Sequence, residues 1–227
     1  MKKHTYHRPD WKAHRLVPSH FPPIHLFESI YDSEEELKIA YQLEGLTNDR
    51  LAQEAGSLCL IRQGDFITGP GATPVMAAFT HIGYPSRFTD GQFGVYYSAS
   101  DIETAIRETM HHKAMFLSAT KEGDTELTMR EYVNEIVKPL VDIRGDLALH
   151  KPNCYKRSQA FGKNLYDQSE WGVLYNSVRN QGGECAALLR PPANSCCTQG
   201  AHYRYVWNGQ KQRFQTHFKI SAEPEGL

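Results

Sequence analysis

The chain has 227 residues, of which 40% are hydrophobic and 22% charged, with a formal net charge of -1. That length supports one domain with a sizeable core, or at most two small ones. The balanced charge lacks the basic excess on which nucleic-acid backbone binding depends, and no run approaches the ~18 apolar residues of a membrane span.

The first fifteen residues, MKKHTYHRPDWKAHR, begin basic but lead into no apolar run, unlike a secretory leader. Residues 1–56 read as a helical extension packed on a core of residues 57–220, with 221–227 as a loose tail. Pro18, Pro22 and Pro23 interrupt the early part. A helix is expected over residues 33–43, because Ser33 can cap and Glu36 stands three residues on, as a capping box requires. A second helix is expected over 48–55, closed by Gly56.

SLCLIRQG, carrying Arg62, reads as the first core strand. The following TGPGATPVM is too rich in Gly and Pro for regular structure, and it lacks the Gly-Lys-Ser/Thr ending of a P-loop. Phe93, Val95 and Tyr97 alternate with Gly94, Tyr96 and Ser98, which predicts a strand. Ser100 then opens a helix, with Glu103 completing a capping box. On that helix Thr104, Ala105, Glu108 and His112 share one face, and the small neighbours leave Glu108 room to project into a hollow.

Residues 129–140 fit helical periodicity, yet their Tyr, Val and Ile content and Pro139 favour a strand. Residues 172–175 read as a strand, 180–183 as a turn and 185–189 as the return strand. Near the end, HYRYVW and QKQRF flank Asn208-Gly209, a dipeptide that prefers the type I′ turn of a tight hairpin. Five cysteines, an odd number with no C-x-x-C spacing, argue against a disulfide framework or a zinc site. They read as reduced thiols of a cytoplasmic protein.

Singly, an Arg before a turn, a Glu on a helix or a Ser after a strand is an ordinary surface residue, and a Tyr closing a strand an ordinary core one. Arg87, Tyr97 and Glu108 instead follow one another at steps of ten and eleven residues, with Ser177 downstream in GVLYNSVRNQGGECAALL. In this order the set resembles that of the RES-domain family, named for its Arg, Glu and Ser. WKAHRLVPSHFPPIHLFESI resembles the extension of longer members, LEGLTNDRLAQEAG the segment after it, and RPPANSCCTQGAHYRYVWNGQ the C-terminal end. CLIRQGDF carries Arg62 at the place of the family's early Arg. The likeness runs from about residue 10 to residue 220.

The resemblance implies an α+β fold related to ADP-ribosyltransferases: a mixed core with two small, largely antiparallel sheets, flanking helices and a dinucleotide cleft. It implies cleavage of NAD⁺ between nicotinamide and ribose, by phosphate or by water. It also implies a toxin role, with silencing by an Xre-type helix-turn-helix antitoxin. A protein-directed mono-ADP-ribosyltransferase and a silent nucleotide- or partner-binding regulator are the alternatives. NAD⁺ is then substrate, inorganic phosphate a candidate co-substrate, and no prosthetic group is expected. A homodimer or a hetero-oligomeric complex is compatible with this reading.

The residue chemistry agrees with that list. Nicotinamide leaves as a neutral base, so one carboxylate that stabilises an oxocarbenium-like ribose suffices. Glu108 is that candidate. Arg87 and Arg62 offer guanidinium forks for the pyrophosphate, and Tyr97 offers a flat face and a hydroxyl for nicotinamide or ribose. Ser177 either bonds the nicotinamide side or braces Glu108. His111 and His112, being adjacent on a helix, point apart and cannot chelate as an i, i+4 pair would, and His112 reads by default as a solvated histidine. Cys196 and Cys197 have no identifiable base nearby, so neither is a candidate nucleophile.

Overall fold

A computed structural model describes residues 4–19 and 58–221. The helices expected over 33–43 and 48–55, the boundary at 56/57 and nearly all of the C-terminal tail lie outside the described residues. Residues 4–19, read from sequence as part of a helical extension, instead form two strands, β1 (Tyr6–His7) and β2 (Lys12–Pro18). β2 lies in the interior of the sheet, and its register with a strand more than a hundred residues away runs from Lys12↔Glu135 to Pro18↔Met129. No local pattern announces that pairing, and the nearby prolines hide it.

The strand expected at SLCLIRQG is a 3₁₀ turn, Leu58–Leu60. Ile61 N–H bonds back to the Leu58 carbonyl, and Asp65 N–H to that of Arg62. The apolar side chains serve here as anchors: Ile61 is buried, with Leu58 packed against the same cluster. A short helix, α1 (Thr73–Thr80), follows with a proline in its first turn, where the missing N–H costs nothing.

The strand predicted near residue 93 begins later, as β3 (Tyr96–Ala99). Helix α2 (Ile102–Thr120) follows. Its cap is Asp101 rather than Ser100: the Asp101 carboxylate accepts from Thr104 N–H at 2.8 Å and from the Thr104 hydroxyl at 2.7 Å. Ser100 is still held in the sheet, through its N–H to the Glu184 carbonyl, and Glu103 pairs with Arg107 instead of closing a capping box.

The remaining elements are β4 (Thr125–Glu135), β5 (Leu140–Asp142), α3 (Lys156–Asp167), β6 (Gly172–Asn176), β7 (Glu184–Leu188), β8 (Thr198–Asn208) and β9 (Arg213–Ile220). The ambiguous 129–140 stretch is therefore strand on either side of Pro139. The β8–β9 hairpin exists, but its closing pair is Asn208↔Arg213. Four residues bridge it, and positive φ falls on Gln212, not on Asn208 or Gly209. Asn208 Oδ1 accepts from Lys211 N–H and Asp124 accepts from Gly209 N–H, which holds the wider loop open.

The strands follow one another in the order β1-β5-β6-β7-β3-β2-β4-β8-β9, antiparallel except for β5 with β6. The architecture is thus mixed α and β with a largely antiparallel sheet. The two small sheets of the expectation are joined: His14↔Ala99 is the one register pair that links β2 to β3. Side chains alternate between two cores. Tyr96, Leu174, Ala186 and Leu188 pack with α1. Ala99, Val173, Tyr175, Cys185 and Ala187 pack with Ala105 and Ile106 of α2 and Leu165 of α3. The strands of this half are buried on both faces, which explains their continuous apolar runs.

Candidate active site

At the joint between β2 and β3, beneath α2, lies a cavity of about 270 Å³. Arg87, Tyr97 and Glu108 all line it. Each arrives by a different route: Glu108 from the second turn of α2, Tyr97 from β3, and Arg87 from the loop that precedes β3.

That loop is held by several bonds. Tyr97 Oη accepts from Phe88 N–H at 3.0 Å and shares a hydrogen bond with Ser86 Oγ at 2.6 Å. Gln159 of α3 donates to the Ser86 carbonyl at 2.9 Å. Phe88 is fully buried. Gly162 lets α3 approach closely, because a Cβ there would stand 2.0 Å from the Phe88 carbonyl oxygen. Burial pushes the Tyr97 phenol up to about 12, against the opposing pull of its Ser86 and Phe88 bonds. The phenol is a neutral strut at physiological pH, and its hydroxyl is spent on the loop rather than free for a ligand.

Arg87 is only 5% exposed. It donates to the Lys151 carbonyl at 3.1 Å and lies 4.6 Å from the Tyr155 ring centroid, yet no carboxylate among the described residues pairs with it. Burying a cation without a counter-ion is costly. An anionic ligand would remove that cost.

Glu108 Oε1 accepts from Ser177 Oγ at 2.6 Å. Ser177 is itself fixed, because its Oγ accepts from the N–H groups of Arg179 and Asn180 at 3.1 and 3.0 Å. Of the two sequence-level roles, Ser177 therefore occupies the bracing one. Glu108 Oε2 has no hydrogen-bond partner among the described residues and remains available. Cys185 lines the same cavity, but burial and then the Glu108 charge hold its thiol well above the usual range, so it is not a thiolate nucleophile.

Arg62 departs from its expected place. It donates to Ser169 Oγ at 2.5 Å and to the Tyr166 carbonyl, stacks on the Tyr166 ring, and lines a separate hollow of about 20 Å³. Arg15 of β2 borders the cavity, but its guanidinium lies on the other face of the sheet, 4.6 Å from the Tyr96 ring centroid, and donates to the Tyr97 carbonyl at 3.1 Å. The sequence motif around Arg62 carried an arginine in an apolar run, but that run closes on itself as a turn.

Two histidines also line the cavity, His14 of β2 and His112 of α2. His112 is exposed at the rim, as its reading as a solvated histidine expects; partial desolvation, then the charges of Arg179, Arg87 and Lys113, push its ring below the usual value. Its place one turn beyond Glu108 was the available signal. For His14 and Arg15 no local signal existed, because β2 reaches the site only through long-range pairing.

Among solved structures, the M. tuberculosis MbcT–MbcA toxin–antitoxin complex contains a chain aligned over 95% of this one and 87% of its own length, with a TM-score of 0.43 and 9% identity. "Uncharacterized protein y4oC" of Sinorhizobium fredii (strain NBRC 101917 / NGR234) is 30% identical over 206 residues, which is 87% of this chain and 84% of that protein. Residues 66–208 match the RES domain. With that match and that relative, the chain belongs to the RES domain family.

Proposed function

We propose that this protein breaks the bond between nicotinamide and ribose in NAD⁺, and that it does so as a toxin. The observation that carries the reading is the pairing of charges in one cavity: a buried guanidinium, Arg87, and a carboxylate with one oxygen braced by Ser177, Glu108, with no carboxylate on the first and no donor on the second oxygen among the described residues. A dinucleotide matches both. Its pyrophosphate supplies the anion that Arg87 lacks, and its nicotinamide riboside supplies a carbon that turns cationic as the leaving group departs. The cavity is slightly below the roughly 300–1,000 Å³ of whole ligand clefts. It suits the nicotinamide riboside end, with the remainder of the dinucleotide extending from the mouth.

In this mechanism nicotinamide leaves with the bonding electron pair, and the positive charge it carried is neutralised by that pair. Charge then develops on the ribose ring, next to the Glu108 carboxylate. Ser177 keeps the carboxylate from rotating away, so the stabilisation needs no reorganisation at the moment of reaction. Tyr97 contributes indirectly, by holding the loop that presents Arg87. The acceptor is inorganic phosphate or water. Membership of the RES domain family supports the toxin role and an Xre-type helix-turn-helix antitoxin that covers the cavity mouth.

The test is incubation of purified protein with NAD⁺, with and without inorganic phosphate, followed by chromatography of the products. Release of nicotinamide is expected, with ADP-ribose 1″-phosphate under phosphorolysis or ADP-ribose under hydrolysis. ADP-ribose attached to protein would mark the transferase alternative. Intact NAD⁺ under both conditions would overturn the reading.

A further inference from the structure

We propose that His14, oriented by Glu131, is the base that takes the proton from the acceptor in the reaction proposed above; this rests on that reading. His14 Nδ1 lies 2.6 Å from Glu131 Oε1. Its other ring nitrogen has no hydrogen-bond partner among the described residues, and the residue lines the cavity that Glu108 lines. Strand alternation puts the His14 side chain on the cavity side. Leu16, two residues on, and Ala99, directly paired with His14, both pack in the core beneath α2.

The support for His14 is built into the sheet. The β4–β8 ladder breaks its register between Arg130 and Tyr132, where Glu131 faces Gly200 and Ala201. Such bulges re-aim side chains and are common beside active sites. Here the bulge frees the Ala201 N–H to donate to Glu131 Oε2 at 3.0 Å. A Cβ on residue 200 would stand 2.5 Å from that same oxygen, so the glycine makes the room. The result is a carboxylate only 7% exposed, with one oxygen on the backbone and the other on His14. A histidine whose Nδ1–H is held by a buried carboxylate presents a lone pair at Nε2 and becomes an imidazolium stabilised by that carboxylate once it accepts a proton.

The balance is simple. The C–N bond to nicotinamide breaks with its electron pair leaving on nitrogen. An oxygen of water or of hydrogenphosphate forms the new bond to the ribose carbon. The proton lost by that oxygen passes to Nε2 of His14 and then to solvent. Glu108 acts on the cation, and His14 acts on the nucleophile from the opposite wall.

A nucleophile with no proton to lose should make the base unnecessary. NAD⁺ consumption is therefore measured for the wild type, His14→Gln and Glu131→Gln, each with water alone, with phosphate and with azide. Gln at position 14 keeps a donor for Glu131 but offers no base, and circular dichroism checks the fold. Expected is a loss of at least about a hundredfold for His14→Gln with water or phosphate, the scale of a general base, and about tenfold or more for Glu131→Gln. With azide both variants should come within about threefold of wild type. If the wild type consumes NAD⁺ and His14→Gln keeps pace in water and phosphate, or if azide leaves both variants as slow as before, His14 is not the base. A wild type that leaves NAD⁺ intact with all three acceptors overturns the parent reading, and this one with it.

Discussion

The two halves of the sheet are built differently. The half formed by β1, β5, β6, β7 and β3 has short strands, covered on one face by α1 and on the other by α3, while α2 crosses from β3 over β2 to β8 and β9, where Thr109 bonds Tyr205 and Glu103 meets His217. Val173, Leu174, Ala186, Ala187 and Leu188 are completely buried there. The half formed by β2, β4, β8 and β9 has long strands and an exposed edge, with Phe218 of β9 left open to solvent. The cavity sits where one pair, His14↔Ala99, joins them. The packed half carries Arg87, Tyr97 and Ser177, the long-stranded half carries His14 and Glu131, and α2, which spans the joint, carries Glu108. In the proposed reaction, rigid packing would hold the loop of Arg87 and the brace on Glu108, and the open half would carry the group that meets the incoming nucleophile.

If that contrast is right, the packed half should be sensitive in activity and in stability, and the far edge in neither. The largest effect is expected for Glu108→Gln. NAD⁺ turnover should fall at least about a hundredfold, roughly 2.7 kcal/mol in transition-state stabilisation, with the thermal midpoint within a degree or two of wild type. Near-normal turnover by the folded variant would break the comparison at its centre.

Gly162→Ala should come next. The added methyl meets the Phe88 carbonyl, so α3 must move off the loop that holds Arg87. A cost of about 1–3 kcal/mol is expected for such overpacking, together with weaker NAD⁺ binding, readable by urea melts and by KM. A variant that loses stability alone would show that the loop's position does not depend on α3.

Asp101→Ala removes the cap of α2 and should cost about 1 kcal/mol at neutral pH. Burial pushes the Asp101 carboxyl up, but its bonds from the Thr104 hydroxyl and N–H and from Ser100 together pull it below the usual 3.8. A depressed folded value means that the stability is present above the unfolded value and is lost as the pH falls through the folded one. The stability gap between wild type and variant should therefore close as the pH is lowered below 3.8, in chemical denaturation series at stepped pH. A gap that persists in acid would assign the cap's value to something other than the ionised carboxylate. The smallest effect is expected for Phe218→Ser on the open edge, within about 0.5 kcal/mol and with unchanged turnover. A large loss of turnover there would mean that the long-stranded half is coupled to the site through more than His14.

The local contrast between these residues also explains what was readable in advance. Glu108 was legible because a strand, a cap and a helix face lie within one stretch of chain, so spacing translates directly into direction. Capping chemistry went to Asp101 rather than Ser100, because a carboxylate accepts two bonds from Thr104 where a hydroxyl competes poorly and Ser100 was needed by the sheet. Arg62 is not where the motif placed it because an apolar run does not reveal whether a partner strand exists; residues 58–64 pair with no strand among the described residues and form a turn.

By itself the sequence determined the local elements with their own stop signals, the order of Arg87, Tyr97, Glu108 and Ser177, and the family to which the chain belongs. Tertiary structure alone decided that β2 enters the sheet beside β3 and β4, that a bulge at Gly200 and Ala201 turns Glu131 toward His14, and that Tyr97 braces a loop. The reason is the range of the interactions. Caps, turns and helix faces are set by residues a few positions apart, whereas the partners of β2 and the contacts of His14 and Glu108 lie in distant segments of the chain, as in Lys12↔Glu135, His14 with Glu131 and Glu108 with Ser177.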